Sequence, residues 1–354
     1  MRVLFLPDYS EANAYQRELA SGLRELGVRV SADPTRAGRI LPVSEAMRRH
    51  GRPDIIHVHW TEPYIASGSG TSRFKAQRMS FELRLAHRAG IGIVWTAHDL
   101  FRHDRATDPV ERSFMRSLFG IADAVIVHCA SAADGLVEAL GIVRSSRSKI
   151  QVIPHGHYVG VYPDTLSRTE ARRRLEVPKE ARLVAFVGWV RPYKGVTELL
   201  EAFAEVPEPS ARLVVAGRAL DDAYAQRIRD LAAADGRVAL SLGFVADDEL
   251  QLYLRAADVV ATPFREIFTS GSVLLAMSFG RAVIAPRRGC VADALDEAGG
   301  ILYDADDPQG LKTALRVAMD ADLEAMGRYN GEHLERFDWS RVAAATQEVY
   351  EAVR

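Results

Sequence analysis

Short apolar runs alternate with amphipathic stretches of helical period almost throughout this chain, and that alternation restricts it to parallel α/β architecture. The runs at 3–6, 55–59, 93–96, 124–128 and 150–153 read as strands of one sheet. Those at 183–187, 212–216, 238–242, 259–261 and 282–285 read as strands of a second. Stretches such as 15–26, 74–88, 224–234 and 271–279 carry apolar residues at three- and four-residue intervals and read as helices between them. At 354 residues the chain is too long for one ordinary core, so two domains of roughly 150–200 residues are expected. Gly156, Gly160 and Pro163 punctuate a break. The expected division is a first Rossmann-like domain at 1–160, a second at 161–336, a cleft between them, and a terminal helix at 337–354 strapping the two.

The second half holds the most telling stretch, Phe-Val-Gly-Trp-Val-Arg-Pro-Tyr-Lys-Gly-Val at 186–196. An apolar run ends in Gly188, a short loop carries Arg191 and Lys194, and Gly195 lets a helical pattern begin. Two cations and open backbone N–H groups at the mouth of a strand–loop–helix unit are what a diphosphate requires. Further on, Ser270, Gly271 and Ser272 open another apolar helix and offer hydroxyls and amides. Two anion-holding features in one half predict a nucleoside diphosphate there. Gly243, Phe244 and Val245 follow a strand and read equally as a backbone segment facing the base or as an ordinary strand-end turn.

The first half is polar where its strands end. Ile-Ile-His-Val-His-Trp-Thr-Glu at 55–62 runs out of a strand into a loop and puts Glu62 at its carboxyl end, where a carboxylate serves as general base on a hydroxyl. Val-Trp-Thr-Ala-His-Asp at 94–99 ends the next strand the same way, with His103 beyond it, and His155 and His157 follow the last strand. Any one histidine reads as an ordinary satisfied polar residue; His57, His59, His98, His103, His155 and His157 look functional as a set.

Other chemistries fall away. The loop after the first strand, Pro-Asp-Tyr-Ser-Glu-Ala-Asn at 7–13, lacks the Gly-x-Gly-x-x-Gly of dinucleotide enzymes, and no Gly-x-Ser-x-Gly elbow occurs. Asp304-Ala-Asp306 has the form of a metal-carrying Asp-x-Asp but no strand leading into it, and no His-Glu-x-x-His is present, so no metal is expected. A net charge of −2 argues against nucleic acid. Residues 1–165 hold 21 Lys and Arg against 17 Asp and Glu, a mildly basic half that fits approach to an anionic membrane face or a phosphate-bearing acceptor, and equally a scatter of solvated charges. Two cysteines make no disulfide framework of the secreted kind, and a cytoplasmic location, peripheral on the inner membrane face, is expected.

Taken together, His57-Val-His59-Trp60-Thr-Glu62, Thr96-Ala-His98-Asp99, His155-Gly156-His157-Tyr158, Arg191-Pro192-Tyr193-Lys194-Gly195 and Ser270-Gly271-Ser272 resemble the GT-B glycosyltransferases. The likeness covers almost the whole chain and lies with family 4 and the divergent family 94 group, mannosyltransferases that act on glycolipids. It implies a metal-independent enzyme with no cofactor beyond its nucleotide-sugar co-substrate, GDP-mannose or a UDP-sugar. The donor would lie in the second domain on Gly188, Arg191, Lys194, Gly243, Phe244, Val245, Ser270, Gly271 and Ser272. A glycan or glycolipid acceptor would lie in the first, lined by Asn13, Tyr15, His59, His103, His155 and His157, with Glu62 and His98 as catalytic groups. One departure stands out: Ile267 and Leu275 occupy the places where family 4 enzymes carry the two glutamates of Glu-x₇-Glu, which favours the divergent, inverting subgroup. A UDP-sugar or retaining transferase, a sugar-nucleotide epimerase and a binding protein without chemistry are the competing readings.

Overall fold

The computed structural model describes residues 1–11, 13–34, 41–65, 72–100 and 108–354. They form two compact units, one of Met1–Gly156 with Arg336–Arg354, the other of His157–Glu335.

The first unit is built on six parallel strands: β1 (Arg2–Leu6), β2 (Arg29–Ala32), β3 (Ile55–Val58), β4 (Gly92–Thr96), β5 (Ala124–Val127) and β6 (Ile150–Val152). Their order is β2-β1-β3-β4-β5-β6. The four inner strands are covered on both faces, which is why their sequences are almost continuously apolar. Phe5, Leu19, Leu23, Ile55 and Tyr350 are fully buried in this core. The terminal helix, Trp339–Ala352, is part of the same unit. Its Asp338 cap accepts from the Ser340 amide, and it lies so close to the helix Ala14–Glu25 that a methyl group at Gly22 would be 2.8 Å from the Ala343 Cβ. Read from sequence as a strap, this helix completes the first core.

The second unit repeats the plan with β7 (Leu183–Val187), β8 (Arg212–Ala216), β9 (Val238–Ser241), β10 (Val259–Ala261), β11 (Ala282–Pro286) and β12 (Gly300–Tyr303), in the order β12-β11-β10-β7-β8-β9. Asp258, at the foot of β10, accepts from the Leu183 amide at 2.7 Å and ties β10 to β7. β2 and β12 were not legible as strands. Both are sheet edges with half-exposed residues, and Arg29-Val-Ser-Ala carries too little apolar signal to announce itself.

In each parallel sheet the order of strand addition reverses across the middle: between β1 and β3 in the first, between β7 and β10 in the second. Ligands of open α/β sheets bind at such points, beyond the carboxyl ends of the strands.

Candidate active site

The phosphate features of the second unit converge on its reversal point. β7 ends at Gly188, whose φ of 138° suits glycine alone. Its carbonyl packs against Gly217 at the end of β8, where a methyl group would come within 1.7 Å of it. The Ser272 hydroxyl is the nearest group to the open side of Gly188, 3.9 Å from where a Cβ would be. Arg191 is extended, Pro192–Lys194 make one 3₁₀ turn, and Gly195, at φ 70°, starts the helix Val196–Ala204. The Lys194 ammonium stands 4.0 Å from the centroid of the Phe264 ring, and the Arg191 guanidinium 5.0 Å from that of Trp189. The Arg265 amide donates to the Tyr193 carbonyl at 2.9 Å, and the Arg265 side chain pairs with Glu198. The loop after β7 is thus bound to the loop after β10.

That second loop leads into Ser270, which caps the helix Gly271–Ser278 by accepting from the Val273 amide at 3.2 Å. Gly271 has the Tyr158 hydroxyl beside it, and a methyl group there would be 2.7 Å from that oxygen. Tyr158 is itself held by its amide, which donates to Ser278 Oγ at 2.9 Å. A helix N-terminus and two cationic side chains therefore share one strand-end region, an arrangement suited to a diphosphate. Gly243, Phe244 and Val245 follow β9 at the edge of the sheet, and the Phe244 ring is 76% exposed.

In the first unit the polar strand ends form a row of rings. His59 follows β3, His98 follows β4, His128 follows β5 and His155 follows β6, so four neighbouring strands each deliver one imidazole to the same end of the sheet. His59 Nδ1 lies 3.4 Å from His98 Nε2, and His98 Nδ1 lies 3.2 Å from His128 Nε2. His128 Nδ1 reaches the Ile153 carbonyl at 3.0 Å, and His155 Nδ1 the Gly156 carbonyl at 2.7 Å. Tyr15, 3% exposed, packs against all four rings, with its centroid 4.7 Å from that of His98 and 4.8 Å from that of His155. Trp60 stacks on His98 at 4.5 Å and 12°. Two residues earlier, within β3, His57 sits between the Tyr350 hydroxyl at 2.6 Å and Thr96 Oγ1 at 2.7 Å.

Electrostatics follow from burial. Loss of water, and after it the neighbouring imidazoles, hold His57, His59 and His98 well below the usual histidine range. Burial takes His128 down to about 3, with His155 adding to the effect and the Ile153 carbonyl opposing it. His155 falls to about 4 for the same first reason, against its bond to Gly156. The row is neutral at physiological pH.

Glu62 opens a short helical turn, Glu62–Ile65, after β3, and thus belongs to the reversal point between β1 and β3. Burial, and then the Glu62 charge, push the Tyr9 phenol up, and Tyr9 packs on Trp60 at 5.3 Å. Tyr9 and Trp60 thus pack together near the Glu62 carboxylate, just beyond the end of β3.

The structure sorts the remaining expected residues. Asn13 caps the helix Ala14–Glu25, its side chain accepting from the Tyr15 amide at 3.0 Å, and Tyr15 is packed beneath the rings as their support. His98 has each ring nitrogen within hydrogen-bonding reach of another histidine. His157 falls in the second unit, apart from His155, and its Nδ1 accepts from the Val159 amide. His103 lies outside the described residues. His128 was missed as a site residue, although it stands one place past its strand as His59 does. Among the described residues no group of three or more His, Cys, Asp or Glu side chains is disposed to hold a metal ion. Asp306, from the Asp-x-Asp string, pairs with Arg288.

Two parallel units of this kind, each with its loops gathered at a reversal point, define a GT-B glycosyltransferase. The fold matches HepE of Anabaena, crystallised with UDP and glucose, at a TM-score of 0.75 and 17% identity, over 99% of this chain and 100% of that one. Residues 4–158 fit the Glycosyltransferase Family 4 description and residues 181–320 that of Glycosyl transferases group 1. The chain is 31% identical over 332 residues to a D-inositol 3-phosphate glycosyltransferase of Corynebacterium efficiens, spanning 87% of this chain and 73% of that protein. It is 27% identical over 304 residues to the GDP-mannose:glycolipid 4-beta-D-mannosyltransferase of Xanthomonas campestris pv. campestris, 84% of this chain and 80% of the other. The chain belongs to the family 4 glycosyltransferases, and it is an enzyme of that class.

Proposed function

We propose that this glycosyltransferase moves a hexose, mannose from GDP-mannose, onto a hydroxyl of a glycan or lipid-linked acceptor without a metal. The observation that carries the reading is the meeting of the Arg191–Lys194 loop with the start of the helix Gly271–Ser278 at the reversal point between β7 and β10. Arg191 and Lys194 hold the diphosphate and stabilise it as it leaves, Ser270, Gly271 and Ser272 receive its distal phosphate, and Gly188 leaves room for it. Gly243, Phe244 and Val245 flank the base. Glu62 takes the proton of the acceptor hydroxyl, and the likeness to the Xanthomonas mannosyltransferase supports mannose, GDP and a glycolipid.

The likeness to the Corynebacterium enzyme favours a second acceptor, a phosphorylated polyol such as inositol 3-phosphate. Among the described residues no helix is long and apolar enough to cross a membrane. The excess of Lys and Arg in residues 1–165 supports the first half as the side that meets a lipid-linked acceptor. Calorimetric titration and turnover with GDP-mannose, UDP-glucose and other nucleotide sugars, each with and without a mannose-terminated glycolipid or inositol 3-phosphate, test the reading. Tight binding and transfer from GDP-mannose are expected; binding of none of the nucleotide sugars would reject it.

A further inference from the structure

The row His59, His98 and His128 has a direction, and one backbone carbonyl sets it. The Ile153 carbonyl can only accept, so His128 Nδ1, 3.0 Å away, carries the hydrogen. A neutral imidazole has one N–H, which leaves His128 Nε2 a bare lone pair and requires His98 Nδ1, at 3.2 Å, to be the donor. The same step repeats: His98 Nε2 is then bare, and His59 Nδ1, at 3.4 Å, donates to it. Nothing in the row reverses this order, because both His98 nitrogens are used and burial keeps the rings neutral. The sequence ends at His59 Nε2, a lone pair on a ring 1% exposed, for which the described residues provide no hydrogen-bond partner. A buried acceptor left without a partner destabilises the site, which favours a donor coming to it.

We infer that His128, anchored on the Ile153 carbonyl, is a positioning residue that locks His98 and His59 as Nδ1–H tautomers and so makes His59 Nε2 an acceptor for an incoming O–H group. The chemistry of the ligand follows. A lone pair repels a phosphate or carboxylate oxygen and takes a neutral hydroxyl, whether of a sugar or of a single water. Assignment of that hydroxyl to a sugar rests on the acceptor reading given above; the tautomer lock does not.

Nitrogen-15 NMR of the histidine rings in the full chain tests the lock before any substrate is added. All three rings are expected as Nδ1–H with a bare Nε2; His59 or His98 found protonated at Nε2 would overturn the inference. In His128→Phe, which removes the acceptor, His98 and His59 should redistribute toward Nε2–H, whereas His128→Gln offers a side-chain carbonyl in its place and should restore them. Unchanged tautomers in a folded His128→Phe protein would also overturn it. A shift of the His59 Nε2 resonance with GDP-mannose or methyl mannoside marks a sugar hydroxyl as the donor, and a cross-peak to water marks a trapped water; neither signal would reject the O–H donor. If the tautomers are as stated while no nucleotide sugar binds, the lock stands and the mannosyltransfer reading falls.

Discussion

Gly195 is in contact with Pro263: any side-chain carbon on the glycine would have to occupy a point 1.9 Å from the proline's carbonyl oxygen. This contact joins the cationic loop after β7 to the loop that feeds the capped helix, so the two halves of the proposed diphosphate site meet where a single methyl group is missing. The backbone there also has φ 70°, costing an L-residue about 1–2 kcal/mol. Gly195→Ala should therefore lower stability by about 2 kcal/mol or more and weaken nucleotide-sugar affinity at least tenfold. Denaturant unfolding and calorimetry would check both; an unaltered dissociation constant in the folded variant would separate this contact from donor binding.

Lys194→Ala should reduce turnover by about 10²-fold, in line with the loss of one preorganised charge contact of about 3 kcal/mol. The ammonium is steered by the Phe264 ring, so Lys194→Arg, longer and planar, should recover only part of the loss. Steady-state kinetics with the preferred donor decide this, and wild-type rates in Lys194→Ala would remove the residue from the site.

Glu62→Gln keeps shape and removes the base. Transfer should fall by about 10²-fold to 10⁴-fold, with donor binding preserved, since the carboxylate is in the first unit. A product assay paired with donor titration reads the two effects separately.

Acid should unfold the first unit through its histidines. His128 titrates at about 3 and His155 at about 4 in the folded protein, against about 6.5 when unfolded. Both are lowered, so the unfolded chain binds protons first: stability is complete above pH 6.5 and declines as pH falls, until His155 levels off near 4 and His128 near 3. Each contributes a slope of about 1.4 kcal/mol per pH unit in that window. His57, His59 and His98 shift the same way and steepen it. Urea midpoints from pH 8 to pH 4.5 should be level and then drop; a flat profile would contradict the buried neutral row.

Tyr350→Phe deletes the hydroxyl that meets His57 Nδ1 at 2.6 Å and strands a buried nitrogen. A loss of about 1–3 kcal/mol is expected, visible as a lower unfolding midpoint with donor affinity intact.

Eight of the ten strands that can be read from the sequence lie inside a sheet and are apolar almost from end to end, while the edge strands β6 and β9 still carry enough Ile, Val and Leu to show. β2 and β12 cannot be read, since an edge strand is stabilised by its neighbour rather than by its own side chains. The Arg191, Lys194 and Ser270 elements are visible as local patterns, and two anion-holding features in one half already suggest one shared ligand; the pairing of β10 with β7 that brings their loops together is what the spacing does not encode. The histidines read from the sequence as a set at successive strand ends. That they touch, and that His128 joins them, follows from the order β3-β4-β5-β6, which spacing along the chain does not encode. Tyr15 shows the converse limit: a residue matched to a ligand-facing pattern proves to be the floor on which the rings rest.

Because Tyr350 and Val342 fill the same interior as Phe5 and Ile55, the amino-terminal sheet cannot be finished when its own last strand leaves the ribosome. It must wait, with a stripe of oily surface open to solvent, while the entire second unit is translated and folds. Shortening the chain at residue 335 would make that interval permanent, and the damage would surface at the end of the molecule farthest in sequence from the cut.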